Sequence, residues 1–344
     1  MKTYRIATIP GDGIGKEVIP AGRQLLQALA ASQPGLAFEF TDFDWGGDYY
    51  RRHGVMMPAD GLTPLRSQDA ILFGSAGDPD IPDHVTLWGL RLKICQGLDQ
   101  YANVRPTRIL PGIDGPLKRC TPEQLDWVIV RENSEGEYAG AGGRVHTGTP
   151  HEAAVQTTIF TRMGVERIIR YAFELARTRR KKVTSATKSN AMQHVMVFWD
   201  EVFSAVAREY PDVQTEKWHV DALCARFVTH PQTLDVVVGS NLFGDILSDL
   251  GGALMGSLGM PASANINPER RFPSMFEPVH GSAPDIMGKG IANPIAAIWA
   301  GAMMLDFLGE PAAAQRVRAA VEAVTADGRV LTPDLGGAAR TEDV

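Results

Sequence analysis

The run Asp235 to Gly239 (DVVVG) passes almost directly into Asn241-Leu-Phe-Gly-Asp245-Ile-Leu-Ser-Asp249, and no other segment restricts the fold so much. Three successive valines read as a strand covered on both faces, which is the habit of parallel sheets. A helix beginning near Leu242 follows at once. The carboxyl end of such a strand is where open α/β sheets bind ligands. Asp245 and Asp249 are four residues apart, so a helix sets both carboxylates on one face. Like charges at that spacing destabilise the helix unless something positive lies between them. The helix dipole would favour an acidic first turn, but Asp249 lies deeper, beside apolar Ile246, Leu247 and Leu250. A hard divalent cation, Mg²⁺ or Mn²⁺, suits such oxygen donors.

The same strand-then-helix alternation runs along the chain. Tyr4 to Ile9 reads as a strand feeding the turn Pro10-Gly11-Asp12-Gly13-Ile14-Gly15. A helix from about Glu17 to Ala31 follows, with Val18, Leu25, Leu26 and Leu29 on one face. Further strands are expected at Ala37 to Phe43, Ala70 to Phe73, Asp126 to Val130 and Lys182 to Ala186. Helices are expected at Met163 to Arg177 and about Ala191 to Tyr210. The pattern predicts an α/β fold with a largely parallel sheet. The glycines at 11, 13 and 15 approach the dinucleotide fingerprint, but GxGxxG would need glycine at Lys16. A plain tight turn is an equal reading. Residues 139 to 153 are glycine-rich and lead into strand-like pieces at Ala154 to Ile159, which predicts a mobile loop or a protruding arm.

At 344 residues the chain exceeds what one core usually serves, so two domains are expected. Its 44% hydrophobic and 22% charged residues exclude disorder. The net charge is −6, which argues against nucleic acid as a partner. The basic run Arg177 to Lys182 reads as the solvated end of the preceding helix. Ile291 to Leu305 is apolar but interrupted by Asn293 and Pro294. It is too short for a span of about 20 residues, so a buried helix is expected and no membrane partner. Cys95, Cys120 and Cys224 form no CxxC pair, which predicts a reducing compartment. The glycine-bearing N-terminus is no signal peptide, so a soluble cytoplasmic protein is expected.

Other polar groups stand where strands end. Arg131-Glu-Asn-Ser-Glu-Gly-Glu-Tyr138 follows DWVIV; its arginine could grip a carboxylate and its tyrosine donate a proton. Thr187-Lys188-Ser189-Asn190 follows another strand and places its lysine for catalysis. Asp221 in WHVDA is a third acidic candidate. Arg105 precedes Pro106, which restricts its backbone. Glu277-Pro-Val-His280-Gly281-Ser282-Ala283-Pro284-Asp285-Ile286 is a rigid loop holding a histidine and an acid. A carboxylate there could bond an adenosine 2′-hydroxyl and would repel a 2′-phosphate, favouring NAD over NADP. His280 lacks the second histidine or cysteine that a zinc site needs.

In this order, IPGDGIG, NLFGDILSD and EPVHGSAPDI…ANP resemble the β-decarboxylating dehydrogenase family of isocitrate and 3-isopropylmalate dehydrogenases. The resemblance extends over essentially the whole chain. Within the family, FDWGGDYY, HGVMMPADG and LWGLRLKICQGLDQYANVRP look most like the enzymes that act on tartrate or D-malate. The resemblance implies a two-domain fold, not a Rossmann fold. One domain would combine residues 1–100 and 256–344, and the other, 101–255, would carry the dimer interface and a clasping arm. It implies NAD, Mg²⁺ or Mn²⁺, and a monovalent cation such as K⁺, with a small dicarboxylate as substrate. Asp245 and Asp249 would bind metal, joined by Asp221 of the second subunit of a homodimer. Arg105 and Arg131 would hold substrate carboxylate, Tyr138 would protonate the enol left by CO₂ loss, and Lys188 would reach in from the neighbouring subunit. Glu277, His280, Gly281, Ser282, Ala283, Pro284, Asp285, Ile286 and Asn293 would hold NAD. Many relatives carry a further substrate arginine where this chain has Cys95, and Arg91 is the candidate to replace it. Relatives usually continue past Val344 with a final helix, so an incomplete C-terminal edge is expected.

Overall fold

The computed structural model describes residues 2–118 and 120–344. Twelve strands follow in chain order: β1 (Lys2–Gly11), β2 (Leu36–Asp42), β3 (Ala70–Ser75), β4 (Ala102–Arg108), β5 (Asp126–Glu132), β6 (Gly136–Val145), β7 (Ala153–Ile159), β8 (Lys182–Thr187), β9 (Gln214–His219), β10 (Val236–Gly239), β11 (Ala262–Ile266) and β12 (Ser274–Pro278). Ten of them form one sheet in the order β2-β1-β3-β12-β11-β4-β5-β10-β8-β9. The flanks are parallel, as the buried apolar runs require, while β12, β11, β4 and β5 meet antiparallel in the middle.

The strands of this sheet missing from the sequence reading are β4, β11 and β12 at its centre and β9 at its edge. In β4 Asn103, Arg105 and Thr107 are buried together with Ala102, so polar side chains point inward and the usual alternation is inverted. β11 likewise buries Ser263 and Asn265. The apolar run after Pro294 becomes the helix Ile295–Phe307, most of it buried, as expected of a core helix. Among the described residues, no helix is long and apolar enough to cross a membrane.

β6 and β7 pair as a separate antiparallel hairpin. The glycine-rich segment is therefore an ordered arm, and it leaves Val145, Val155 and Ile159 exposed. The basic run after the helix Arg162–Arg177 is only partly solvated. Arg179 Nε donates to Asp235 at 2.8 Å, and Asp235 is buried at the root of β10. That buried carboxylate needs a cation, and its need overrides the simple surface reading.

Candidate functional site

Asp245 is the point on which the chemistry converges. It lies on the helix Asn241–Leu254, which is capped by Ser240 Oγ accepting from the Phe243 amide. The Glu137 carboxylate sits over the same end, bonded to the Leu242 amide and Ser240 Oγ. Negative charge is favoured there by the free amides of a helix start. Gly244 allows the helix to press on β5, because a Cβ at that position would meet Arg131 Cβ at 2.5 Å. Arg131 accordingly lies against the helix, donating to Asn241 Oδ1 at 2.9 and 2.7 Å and to Asp245 Oδ1. Arg105 reaches Asp245 Oδ1 at 3.3 Å and Ser248 Oγ at 2.6 Å. Tyr138 Oη donates to Asp245 Oδ2 at 3.3 Å.

Burial works against charge at Asp245, yet Arg131, Arg105 and Arg91 hold its pKa below the usual carboxylate value. Asp249 is pushed the other way, by desolvation and then by Asp245. One carboxylate is thus neutralised by arginines while its neighbour still wants positive charge, which a divalent cation between them would supply. Burial and the second arginine lower the Arg105 pKa to about 10. Burial and Asp245 raise that of Tyr138, which keeps its phenol protonated near neutral pH.

Lys188 and Asp221 lie apart from this cluster and bond each other at 2.6 Å, with Asp221 largely exposed. Among the described residues no three histidine, cysteine or acidic side chains gather within one chain as a metal would need. A single copy therefore offers two of the three expected ligands on one helix, while the third, Asp221, is paired with Lys188 elsewhere. The all-oxygen donors Asp245 and Asp249 fit Mg²⁺ or Mn²⁺.

The loop after β12 meets the N-terminal glycine turn. The Ile14 amide donates to Ser282 O at 2.9 Å. Gly13 makes this approach possible, since its φ is +54° and a Cβ would meet Ser282 O at 1.9 Å. Gly13 thus serves the packing of this loop, while Gly11 and Gly15 allow the close approach of Ser75 and Pro10. His280 Nδ1 lies 2.7 Å from Gly281 O, while its Nε2 is buried without a partner. Burial lowers its pKa, so the ring is neutral at neutral pH. An unsatisfied nitrogen on a loop that also carries half-buried Ala283 and Ile286 and exposed Pro284 and Asp285 fits a nucleotide base. Asn293 is buried and its amide already bonds Asp334 at 3.0 Å and caps Ile295 at 2.9 Å. Glu277, expected at the cofactor, is buried beneath the loop, and its carboxylate is bound by Arg91 at 2.6 and 3.0 Å.

Residues 5–344 match the isocitrate/isopropylmalate dehydrogenase family. The chain belongs to that family. It is 62% identical over its whole length to a probable tartrate dehydrogenase/decarboxylase of Agrobacterium vitis, covering 96% of that protein. It is 56% identical to the D-malate dehydrogenase (decarboxylating) of Escherichia coli K12, covering all of this chain and 97% of that one. The solved isocitrate dehydrogenase of Methylococcus capsulatus superposes with a TM-score of 0.89 at 38% identity, over 99% of this chain and 97% of that one. The isocitrate/isopropylmalate dehydrogenase fold is thereby established.

Cys95, where the resemblance leads one to expect an arginine, is buried in one apolar cluster with Phe73, Ile94, Leu98 and Met275, and burial raises its thiol pKa to about 11. Arg91, one turn earlier, is also buried, and Glu277 holds it in place. Cys95→Arg would add a second buried cation beside Arg91 with one carboxylate to share. We expect it to destabilise the fold by about 3 kcal/mol or more, read as a drop in Tm. A variant as stable as the parent would mean that position 95 opens onto solvent or substrate.

Sequence reasoning missed the supporting residues Asn103, Asn241, Ser248 and Asn265. Asn241 and Ser248 stand in the same motif as the aspartates, and the signal was there: two buried arginines need acceptors besides Asp245.

Proposed function

We propose that this chain oxidises a small 2-hydroxy dicarboxylic acid, tartrate or D-malate, with NAD and Mg²⁺ or Mn²⁺, and that loss of a β-carboxylate as CO₂ accompanies the oxidation. The observation that carries this reading is the convergence of Arg105, Arg131 and Tyr138 on Asp245, with Asp249 one turn away on the same helix. Asp245, Asp249 and Asp221 of a second copy would hold the dication, and His280 to Ile286 the adenosine of NAD. When bound, the dication supplies Lewis acidity and NAD accepts hydride. The chain's own groups do the rest. Arg105 and Arg131 bind substrate carboxylate, Lys188 of the second copy takes the hydroxyl proton, and Tyr138 protonates the carbon that CO₂ leaves.

A homodimer is part of this reading. Leu242 and Ile246 are exposed on the helix that carries Asp245, and Val228 is exposed on its neighbour Val220–Thr229. Exposed apolar groups so close to the metal candidates suit burial against a second copy. The chain would divide into 1–100 with 256–344 and 101–255. The sheet order supports this, since among the described residues β11 against β4 is the one strand pairing between the two sets. A non-catalytic carboxylate-binding subunit is a poorer reading, because Arg105, Arg131 and Tyr138 all gather on Asp245.

Asp285 is exposed on the proposed cofactor loop. NAD is expected to be preferred over NADP, and Asp285→Lys should shift the ratio of kcat/KM for the two toward NADP by about tenfold or more. A parent enzyme that uses both equally would remove this argument. The substrate reading is tested by kcat/KM for D-malate, the tartrate isomers, 3-isopropylmalate and isocitrate. A C4 acid should rank first; 3-isopropylmalate in first place would contradict the assignment while leaving metal and cofactor intact.

A further inference from the structure

Behind Arg105 lies a buried polar group that no step of the proposed reaction uses. Asn265 is fully buried on β11 and sits directly opposite Asn103 on β4. Its Oδ1 accepts from Asn103 Nδ2 at 2.7 Å, Asn133 Nδ2 at 3.0 Å and Arg91 Nη2 at 3.1 Å. Its Nδ2 donates to Glu277 Oε1 at 2.7 Å. The amide has only one workable orientation here. Turned over, it would set its oxygen against the Glu277 carboxylate and its NH₂ against three donors.

The consequence runs outward to the site. Asn103 uses Nδ2 on Asn265 and Ser263, which turns its Oδ1 outward to accept from Arg105 Nε at 2.8 Å. Arg105 is thereby held with Nη1 on Asp245 and Ser248. On the other side, Asn265 and Glu277 together fix Arg91. One side chain orders two guanidinium groups that come from opposite sides of the β11–β4 junction. A buried network satisfied in this way sets rotamers more sharply than apolar packing does.

We propose that Asn265 is a positioning residue that fixes Arg105, through Asn103, and Arg91 for the acid substrate. This deepens the functional reading above and rests on Arg105 being a substrate ligand. The wild type is first run on D-malate, the tartrates, 3-isopropylmalate and isocitrate, and the acid it uses best serves for the variants. A wrong substrate assignment therefore leaves the test intact, whereas no turnover with any of the four would overturn both readings. Asn265→Leu is expected to raise KM for the acid about tenfold or more, with KM for NAD changed less than about twofold, at a temperature below the variant's Tm. Asn103→Ala should raise the acid's KM too, and the double variant should be little worse than the poorer single one, because both act through Arg105. Should Asn265→Leu not fold, Asn265→Ser withdraws the amide from Asn103 and Arg91 without placing a bulky apolar group in the buried network, and the same rise in KM for the acid is expected. An unchanged acid KM in the variant that folds, parallel rises in KM for acid and NAD, or fully additive penalties would each overturn the proposal.

Discussion

Asp245→Asn should lose about three orders of magnitude in kcat/KM at saturating Mn²⁺, a barrier increase of about 4 kcal/mol. The substitution keeps shape and helix but removes one full negative charge. In the protein as it stands, that charge is held by Arg131 and Arg105 and shared with the Tyr138 hydroxyl. The neutral amide can still accept from one arginine, and Arg131 retains Asn241 while Arg105 retains Ser248 and Asn103. The fold should therefore survive, with far-ultraviolet circular dichroism unchanged. The stabilisation that Mn²⁺ gives the parent in thermal melts should be reduced or lost in the variant, since ligand binding stabilises only as far as its affinity allows. Full turnover by the variant without added metal would remove Asp245 from the metal site.

Mixing Lys188→Ala with Asp245→Asn should restore about a quarter of parental activity after subunits exchange, although each variant alone is nearly inactive. The separation of the two groups in one chain motivates this. Lys188 bonds Asp221, and among the described residues no hydrogen bond or ion pair links that pair to Asp245. If the working site joins Asp245 of one copy to Lys188 of the other, random exchange makes half of the dimers hybrids. Each hybrid has one intact site and one lacking both groups. No recovery in dimers shown by mass to be mixed would place the whole site within one chain.

The sequence displayed the parts of the fold that follow ordinary burial. Val236 to Gly239, Ala70 to Phe73 and Asp126 to Val130 are apolar strands with both faces covered, and they lie where the residue pattern puts them. The helix around Asp245 was equally plain. The centre of the sheet was hidden because β4 and β11 turn polar side chains inward, and a period-two hydrophobic pattern does not find such strands. The helix expected from Ala191 begins only at Val195, since the chain first turns back to bond Lys188 O from the amides of Ala191 and Met192. In the site, ionisable residues after strands were readable, but their partners were not. Nothing in the spacing of Arg91 and Glu277, 186 residues apart, announces that they meet. The glycines at 11, 13 and 15 were a half-signal, marking close backbone approach: Ser75 lies against Gly11, Ser282 against Gly13, and Pro10 and Ser75 against Gly15.

The central claim is a metal-dependent, NAD-linked oxidation of a C4 hydroxy acid. Its most direct test is the initial rate of NADH formation by the wild type with D-malate or a tartrate, measured with Mn²⁺, after chelation, and after Mn²⁺ is restored. The account predicts turnover with metal, a near-complete loss on chelation and full return on refilling, with Mg²⁺ as a working substitute. Turnover that persists in the metal-free enzyme, or none with any of these acids in the presence of Mn²⁺ and NAD, would contradict it.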